Sequence, residues 1–314
     1  MKISFITTVL NEEKTIEGLL ESLNNQTLKP DEIVIVDGGS TDRTIAEIKN
    51  QKSKIKNHAK FKILVKKGNR SVGRNEAIRN AKGDIILCSD GGCVLDKNWI
   101  KNITRDFRFN EVDVVAGYYK GMAKNAFEKA LVPYVLVMED RLNPDNFLPA
   151  TRSIAFKKSI WKKAGGFDEE FSNNEDYVFA KKLRKAGACI SFAKDAVVFW
   201  KPRKNLKEAS VMFYRFAKGD SESGIIRPKA ILILGRYLIG ALLVFLLLYS
   251  HSFLQLILIV VLLINYVVWA ASKNYKYVDS LLSVFYLIVL QFLSDFAVIT
   301  GTVSGFINWL GKRT

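Results

Sequence analysis

Glu32-Ile33-Val34-Ile35-Val36-Asp37-Gly38-Gly39-Ser40-Thr41-Asp42 is the stretch on which the fold turns. A β-branched run that ends on an acid and two glycines reads as a strand opening into a tight turn, where Ser40 or Thr41 can cap the helix that follows. Similar runs stand on either side of it, at Ile3–Val9, Lys62–Val65 and Asp84–Cys88. Between the runs, Glu12–Leu23, Thr41–Asn50 and Val72–Ala81 carry apolar residues at helical spacing. This alternation predicts an α/β domain of parallel strands joined by helices. In open sheets of that kind ligands bind beyond the carboxyl ends of the strands, so chemistry is expected just after each run.

The residues there are polar. Thr7-Thr8-Val9-Leu10-Asn11-Glu12-Glu13 follows the first run and Ser89-Asp90-Gly91-Gly92-Cys93 the fourth. Each segment also has a plain structural reading, a capped turn after the second strand and an Asp-Gly turn after the fourth. Their order and position together point to a ligand site. Farther on come Thr151-Arg152-Ser153-Ile154-Ala155-Phe156, the turn Gly165-Gly166-Phe167-Asp168-Glu169, and Ser172-Asn173-Asn174-Glu175-Asp176 ahead of a helix running to about Lys185. Acids at a helix start are favoured by the macrodipole, which gives Glu175 and Asp176 a structural reason to be there as well.

From Tyr237 to Ser272 there is no charged side chain. Bilayer hydrocarbon is about 30 Å thick and one crossing takes some 20 apolar residues, so the run predicts a hairpin of two spans. Ser250-His251-Ser252 divides it into Ala230–Tyr249 and Phe253–Ala271, and a third apolar segment runs from Ser280 to about Trp309, interrupted by Asp295. An acid within an apolar segment is expected to be functional or paired, with Arg236 as the candidate partner. Gly301-Thr302-Val303-Ser304-Gly305 is a small-xxx-small pattern suited to close helix packing. Cations crowd the stretch before the first span (Lys201, Arg203, Lys204, Lys207, Arg215, Lys218, Arg227, Lys229) and recur at Lys273 and Lys276, which predicts a cytoplasmic head. Lys312 and Arg313 would fall outside after three crossings, a conflict that a re-entrant or interfacial third segment removes. Met1–Leu10 reads as a strand and not as a signal peptide.

The chain carries a formal charge of +16. No nucleic-acid module accompanies that charge, so an anionic inner leaflet and a nucleotide diphosphate are the expected partners. Cys88, Cys93 and Cys189 lack paired metal spacing and are expected as reduced thiols.

On these motifs the chain, from Lys2 to about Gly224, resembles the family-2 glycosyltransferases, inverting enzymes with the nucleotide-sugar-binding GT-A fold. The resemblance implies a Rossmann-like GT-A head over residues 1–224, including an interfacial helix at about 205–220, and a C-terminal α-helical transmembrane region over 230–309. It implies that Thr8, Asn11, Glu12 and Asp37 hold the nucleobase and ribose, with Gly39 and Gly91 allowing close approach to the backbone. Gly68–Ala77 looks like the family's basic stretch, with Arg70 and Arg74 toward the diphosphate. The usual Asp-x-Asp metal motif has Gly92 in place of its second acid, leaving Asp90 to hold Mg2+ or Mn2+ together with diphosphate oxygens. Thr151–Phe156, with Arg152, is similar to the acceptor-side strand. Asp176 corresponds to the catalytic base, and Glu175 beside it orients the acceptor or the loop. Trp200 and Lys201 stand where many members have a His; Lys201, Arg203 or Arg215 can supply charge there.

The implied function is membrane-anchored inverting transfer of a sugar from a nucleotide-diphosphate sugar to a lipid-linked or membrane-proximal acceptor, in the building of cell-envelope polysaccharide or glycolipid. The alternative is a non-catalytic sugar-nucleotide-binding membrane protein. A nucleotidyltransferase shares the α/β start, but the chain lacks that class's glycine-rich, Arg/Lys signature loop near its N-terminus.

Overall fold

In the computed structural model, residues 1–54, 60–109 and 111–311 are described. The first compact unit comprises Met1–Met122 and Met138–Lys201. Its elements run β1 (Ile3–Val9), α1 (Ile16–Asn24), β2 (Glu32–Asp37), α2 (Thr44–Lys54), β3 (Lys60–Val65), α3 (Arg70–Asn80), β4 (Ile85–Cys88), β5 (Cys93–Leu95), α4 (Trp99–Thr104) and β6 (Val114–Gly121). After a helix of the second unit, α5 (Ala126–Val135), come β7 (Ile154–Lys157), α6 (Lys158–Lys163), α7 (Glu175–Lys185) and β8 (Ile190–Trp200).

The strands form one eight-stranded sheet in the order β3-β2-β1-β4-β7-β6-β8-β5. β3, β2, β1 and β4 are parallel neighbours, as the alternating sequence predicts. β7 then joins antiparallel to β4 and β6, so the sheet is mixed. Both faces are covered: Ile6, Val34, Phe156, Trp161 and Phe179 share one core with α3, α6 and α7, while Phe5, pointing the other way, meets Trp99 of α4 edge-on at 6.2 Å. That is why β1 and β2 are buried almost continuously instead of alternating.

Two helices start later than their periodicity suggests. Asn11 takes a left-handed conformation (φ 55°), and the amides of Thr15 and Ile16 both donate to the Glu12 carbonyl, so residues 11–15 form a turn and α1 opens at Ile16. Ser40 and Thr41 do not cap α2. They are drawn to Asn11, and Asp42 Oδ1 instead accepts from the Thr44 amide at 3.0 Å.

The second unit comprises Ala123–Val137 and Pro202–Thr314. It contains α5, α8 (Leu206–Glu222), α9 (Pro228–Ser250), α10 (Phe253–Ser272) and α11 (Leu281–Gly311). The last three are long and apolar enough to cross a membrane. α9 and α10 form the expected hairpin; His251 at φ 50° ends α9, and the Ser252 hydroxyl accepts from the Gln255 amide at the start of α10. Asp295 has its expected partner, with Arg236 Nη2 at 2.9 Å. Lys312 and Arg313 lie outside the described residues.

Candidate active site

Parallel register brings the ends of three strands together. Val9 pairs with Asp37, and Ile6 with Cys88, so the loops after β1, β2 and β4 leave the sheet at the same edge. The first two loops are stitched to each other. The Asn11 amide donates to Ser40 Oγ and its Oδ1 accepts from the Thr41 amide, each at 2.9 Å. The Glu12 amide donates to Thr44 Oγ1 at 2.7 Å. Asp37 is 1% exposed and its Oδ1 accepts from the Gly39 and Ser40 amides, both at 2.7 Å. Gly39 permits this turn at φ 102°. Asp37 Oδ2 is buried without a hydrogen-bond partner among the described residues. A buried acceptor left open at a loop edge is suited to a ligand hydroxyl or N–H.

Thr8 packs against α3, where a Cβ on Gly73 would collide with its hydroxyl. Glu12 leans the other way, toward the loop after β4. A Cβ on Gly91 would lie 3.1 Å from Val9 and 3.4 Å from Glu12, so a side chain there would crowd both loops. The first loop thus joins the Asp37 region to the Asp90 region.

The Asp90 region is organised by Arg74. From the buried face of α3 it donates through Nη1 to Glu175 Oε1 at 2.7 Å and through Nη2 to Asp90 Oδ1 at 3.0 Å, with its side chain only 2% exposed. Thr151 Oγ1 donates to the same Asp90 oxygen at 3.3 Å. Arg70, one turn earlier on α3, has its guanidinium 4.0 Å from Glu175 and remains 62% exposed, so it is open to an anion. Arg152 stands between two rings, 5.5 Å from the centre of Tyr119 and 5.4 Å from that of Trp200. These contacts hold its guanidinium in place at little cost in hydration.

Charge sets the Asp90 and Asp176 carboxylates apart. Burial disfavours ionisation of Asp90, but Arg74, with Arg70 and Arg152 behind it, holds its carboxyl below the usual range. Asp176, the second residue of α7, is pushed above it, first by burial and then by the neighbouring Glu175, with Arg74 and Arg152 opposing. The structure therefore brings Arg70, Arg74, Asp90, Arg152, Glu175 and Asp176 into one electrostatic cluster, and Thr8, Asn11, Glu12, Asp37, Gly39 and Gly91 into the adjoining loops. Lys201 lies elsewhere, its ammonium close to Gly18 of α1, where an added Cβ would be 3.7 Å away. Arg203 and Arg215 belong to the second unit.

No three His, Cys, Asp or Glu side chains converge as a metal cage among the described residues. Asp90, ionised and with one oxygen not taken up by Arg74 or Thr151, still fits a hard divalent cation of the kind bound through one carboxylate and substrate phosphates. Cys88 and Cys93 are free and buried, and burial pushes both thiols up to about 12, so neither serves as a nucleophile.

Sequence reasoning did not single out Thr151 or Tyr119. Thr151 had a detectable signal, because it directly precedes Arg152 at the mouth of a strand. Tyr119 sits inside an ordinary alternating strand segment and had none.

Comparison with known proteins agrees with this geometry. Residues 4–160 match the model of the family described as glycosyl transferase family 2. The chain is 27% identical over 223 residues to a poly(ribitol-phosphate) beta-glucosyltransferase of Bacillus spizizenii, covering 68% of this chain and 34% of that protein. It is 26% identical over 211 residues to the O-antigen chain rhamnosyltransferase RfbN of Salmonella typhimurium, covering 63% and 66%. Among solved structures, the mannosyltransferase PcManGT from Pyrobaculum calidifontis, in complex with GDP-Man and Mn2+, superposes with a TM-score of 0.65 at 16% identity, covering 100% of this chain and 88% of that one. At that identity the likeness speaks to the fold alone, and the head has the GT-A fold. The chain belongs to glycosyl transferase family 2.

Proposed function

We propose that this protein is a membrane-anchored inverting glycosyltransferase that moves a sugar from a nucleotide-diphosphate sugar to a lipid-linked or membrane-proximal acceptor. The observation that carries the reading is the Arg74 bridge, which ties the loop after β4 to the start of α7 and so fixes Asp90 relative to Asp176. Nucleobase and ribose would lie against the first two loops, with Asp37 Oδ2 as the open acceptor. The diphosphate would lie toward Arg70, the most exposed cation of the cluster.

Transfer with inversion requires the acceptor hydroxyl to lose a proton as its oxygen attacks the anomeric carbon from the face opposite the leaving diphosphate. Asp176 takes that proton. Burial and the neighbouring Glu175 raise its affinity for protons, which makes it a better base than an ordinary carboxylate. Glu175, ion-paired inside the protein, positions the helix start instead of touching substrate. Arg152, held between aromatic rings, orients the acceptor side and keeps the Asp176 surroundings electrostatically balanced. A divalent cation bound at Asp90, Mg2+ or Mn2+, would neutralise charge growing on the leaving diphosphate. The PcManGT complex with Mn2+ supports that assignment. The α9–α10 hairpin supplies the anchor, with the cation-rich segment ahead of Pro228 on the cytoplasmic side.

The test is Asp176→Asn, assayed for nucleotide release with a panel of donor sugars, with and without Mn2+. Transfer should fall to background while nucleotide binding, followed by calorimetry, stays within a few-fold of wild type. Turnover retained by the variant rejects the base assignment. A wild-type protein that binds donors without releasing nucleotide above background would instead be the non-catalytic binder.

A further inference from the structure

We propose that α11 does not cross the membrane but lies along its cytoplasmic surface, so that the α9–α10 hairpin alone spans the bilayer. The inference rests on the anchoring role given to that hairpin. It concerns the partner of α11, which is the lipid headgroup and outer acyl region.

By length and composition the three long helices look alike, yet the spans differ in burial: 6% for α9 and α10 against 39% for α11. The cause is that α11 has neighbours along most of its length, α5 at its start and the amphipathic, charge-bearing α8 at its end. At its start, Lys129 of α5 pairs with Asp279 at 2.5 Å, Phe127 meets Tyr286 edge-on at 5.4 Å, and the Tyr134 hydroxyl donates to the Leu287 carbonyl at 2.7 Å. At its end α8 runs parallel to it. Tyr214 bonds Ser304 at 2.9 Å and Glu222 bonds Asn308 at 2.7 Å, while Gly301 and Gly305 let the two backbones touch. α8 carries Arg215, Lys218, Asp220 and Glu222 over that same length. A crossing by α11 would carry these charges into hydrocarbon, which is costly. Between the α5 contact at Gln291 and the α8 contact at Gly301 lie only about two and a half turns. A crossing needs some 20 residues free of such neighbours.

The hairpin bonds α11 at Gln291 and Asp295. Asp295 accepts from Arg236 at 2.9 Å, from Tyr237 at 3.2 Å and from Tyr266, and Lys273 donates to Gln291. Arg236 lies in the first half of α9 and Lys273 just past the end of α10, so both stand in the half of the hairpin away from its turn at His251. α11 therefore meets the hairpin in the half away from its turn, as a helix laid across the hairpin's base does. A polar cluster at headgroup depth is also far less costly than one in the bilayer centre.

The exposed surface of α11 fits the same placement. Leu282, Phe285, Phe296, Val303, Ile307 and Leu310 are all exposed and follow helical spacing down a single face. The opposite face holds the buried Ser283, Gln291, Asp295, Gly301 and Gly305. An apolar stripe exposed toward both ends of the helix, with the amphipathic α8 behind its C-terminal part and exposed cations such as Arg215 nearby, is the pattern of a helix lying in an anionic interface. The placement also removes the charge conflict that three crossings would create.

The test uses the full-length protein in proteoliposomes of phosphatidylglycerol and phosphatidylethanolamine, in a Cys189→Ser background, since Cys88 and Cys93 are buried. Nitroxides at Leu282→Cys, Phe296→Cys and Leu310→Cys, all exposed positions, report depth by collisional relaxation. The proposal expects all three at similar shallow depth. A deep label at 296 between shallow labels at 282 and 310 overturns it. Membrane-impermeant maleimide applied to Gly311→Cys and to Ser252→Cys separates the premises; a Cβ at Gly311 meets nothing within 4 Å. Labelling of 252 from the side opposite Lys273 and of 311 from the Lys273 side supports the proposal, and the reverse pattern overturns it. Both labelled from the side opposite Lys273 overturns it while keeping the hairpin. Both labelled from the Lys273 side refutes the hairpin, and with it the anchoring role on which the inference stands.

Discussion

Arg74 donates to Glu175 across 2.7 Å with both side chains buried, 2% and 4% exposed. A guanidinium withdrawn from water this fully is tolerable only while its carboxylates remain, and its second partner, Asp90, is half open to solvent. The bridge makes the start of α7 dependent on a residue of α3 a hundred positions earlier in the chain.

Glu175→Ala leaves Arg74 with Asp90 as its one close counter-ion. Removing one partner of a buried pair costs roughly 3–5 kcal/mol, and the remaining Asp90 contact keeps the loss at the lower end, about 3 kcal/mol. Denaturant unfolding followed by tryptophan fluorescence measures it. Glu175→Asp, which retains the charge, should recover part of the loss; equal destabilisation by both variants would mean that shape and not charge matters there.

The pH dependence follows from Asp176. Its carboxyl is raised by burial and by Glu175, and as the proposed base it must be ionised to act, so the acid limb of kcat/KM should lie above the ordinary carboxylate value of about 3.9. For stability the sign is opposite. The folded state holds this proton more tightly than the unfolded one, so the contribution of Asp176 to stability is present below the ordinary value and is lost as pH rises through the raised one. Asp90, lowered chiefly by Arg74 against the effect of burial, behaves conversely: its contribution is present above the ordinary value and is lost as pH falls through the lowered one. A pH–rate profile measured alongside unfolding of Asp176→Asn checks both signs. The variant should lose turnover, and its stability should no longer decline over the Asp176 window.

The parallel half of the sheet was readable because β-branched runs with polar loops at their carboxyl ends leave few alternatives, and β1 falls where its periodicity puts it. The hairpin was readable for a similar reason, since an uncharged run broken only by Ser250-His251-Ser252 has one place to turn. Helix starts were not, because Asn11 draws Thr41 away through a side-chain bond to a distant loop and Asp42 takes the Thr44 amide locally. Arg74 was legible as a cation near the diphosphate loop but not as a buried bridge, since nothing in local sequence says that Glu175 will face it. The difference between α11 and the other two apolar helices was equally hidden. Hydropathy records how apolar a helix is, not which helices pack on it.

Asp37→Asn keeps Oδ1 as acceptor for the Gly39 and Ser40 amides, so the turn should survive and stability change little. The variant loses the charge on the open Oδ2 side. A hydrogen bond to a charged group contributes about 1.5–3 kcal/mol, so affinity for the nucleotide should drop by roughly tenfold to a hundredfold. Titration calorimetry with nucleoside diphosphates reads this directly. Unchanged affinity would remove Asp37 from the binding site.

Gly301→Leu tests the contact between α8 and α11. A Cβ at this position would lie 2.5 Å from the Tyr214 carbonyl oxygen and 3.0 Å from Ala217 Cβ, and a helix backbone cannot rotate aside as a side chain can. Overpacking of this kind costs about 1–3 kcal/mol, and the real loss includes every contact along the interface that must separate with it. Gly240→Leu is the control, because a Cβ at Gly240 in α9 meets nothing within 4 Å and leucine is the better helix former by several tenths of a kcal/mol. Thermal unfolding in detergent should show Gly301→Leu melting several degrees below wild type and Gly240→Leu at or above it. If the two variants behave alike, the close approach of α8 to α11 is not what stabilises this unit, and the polar cluster around Asp295 must carry the association instead.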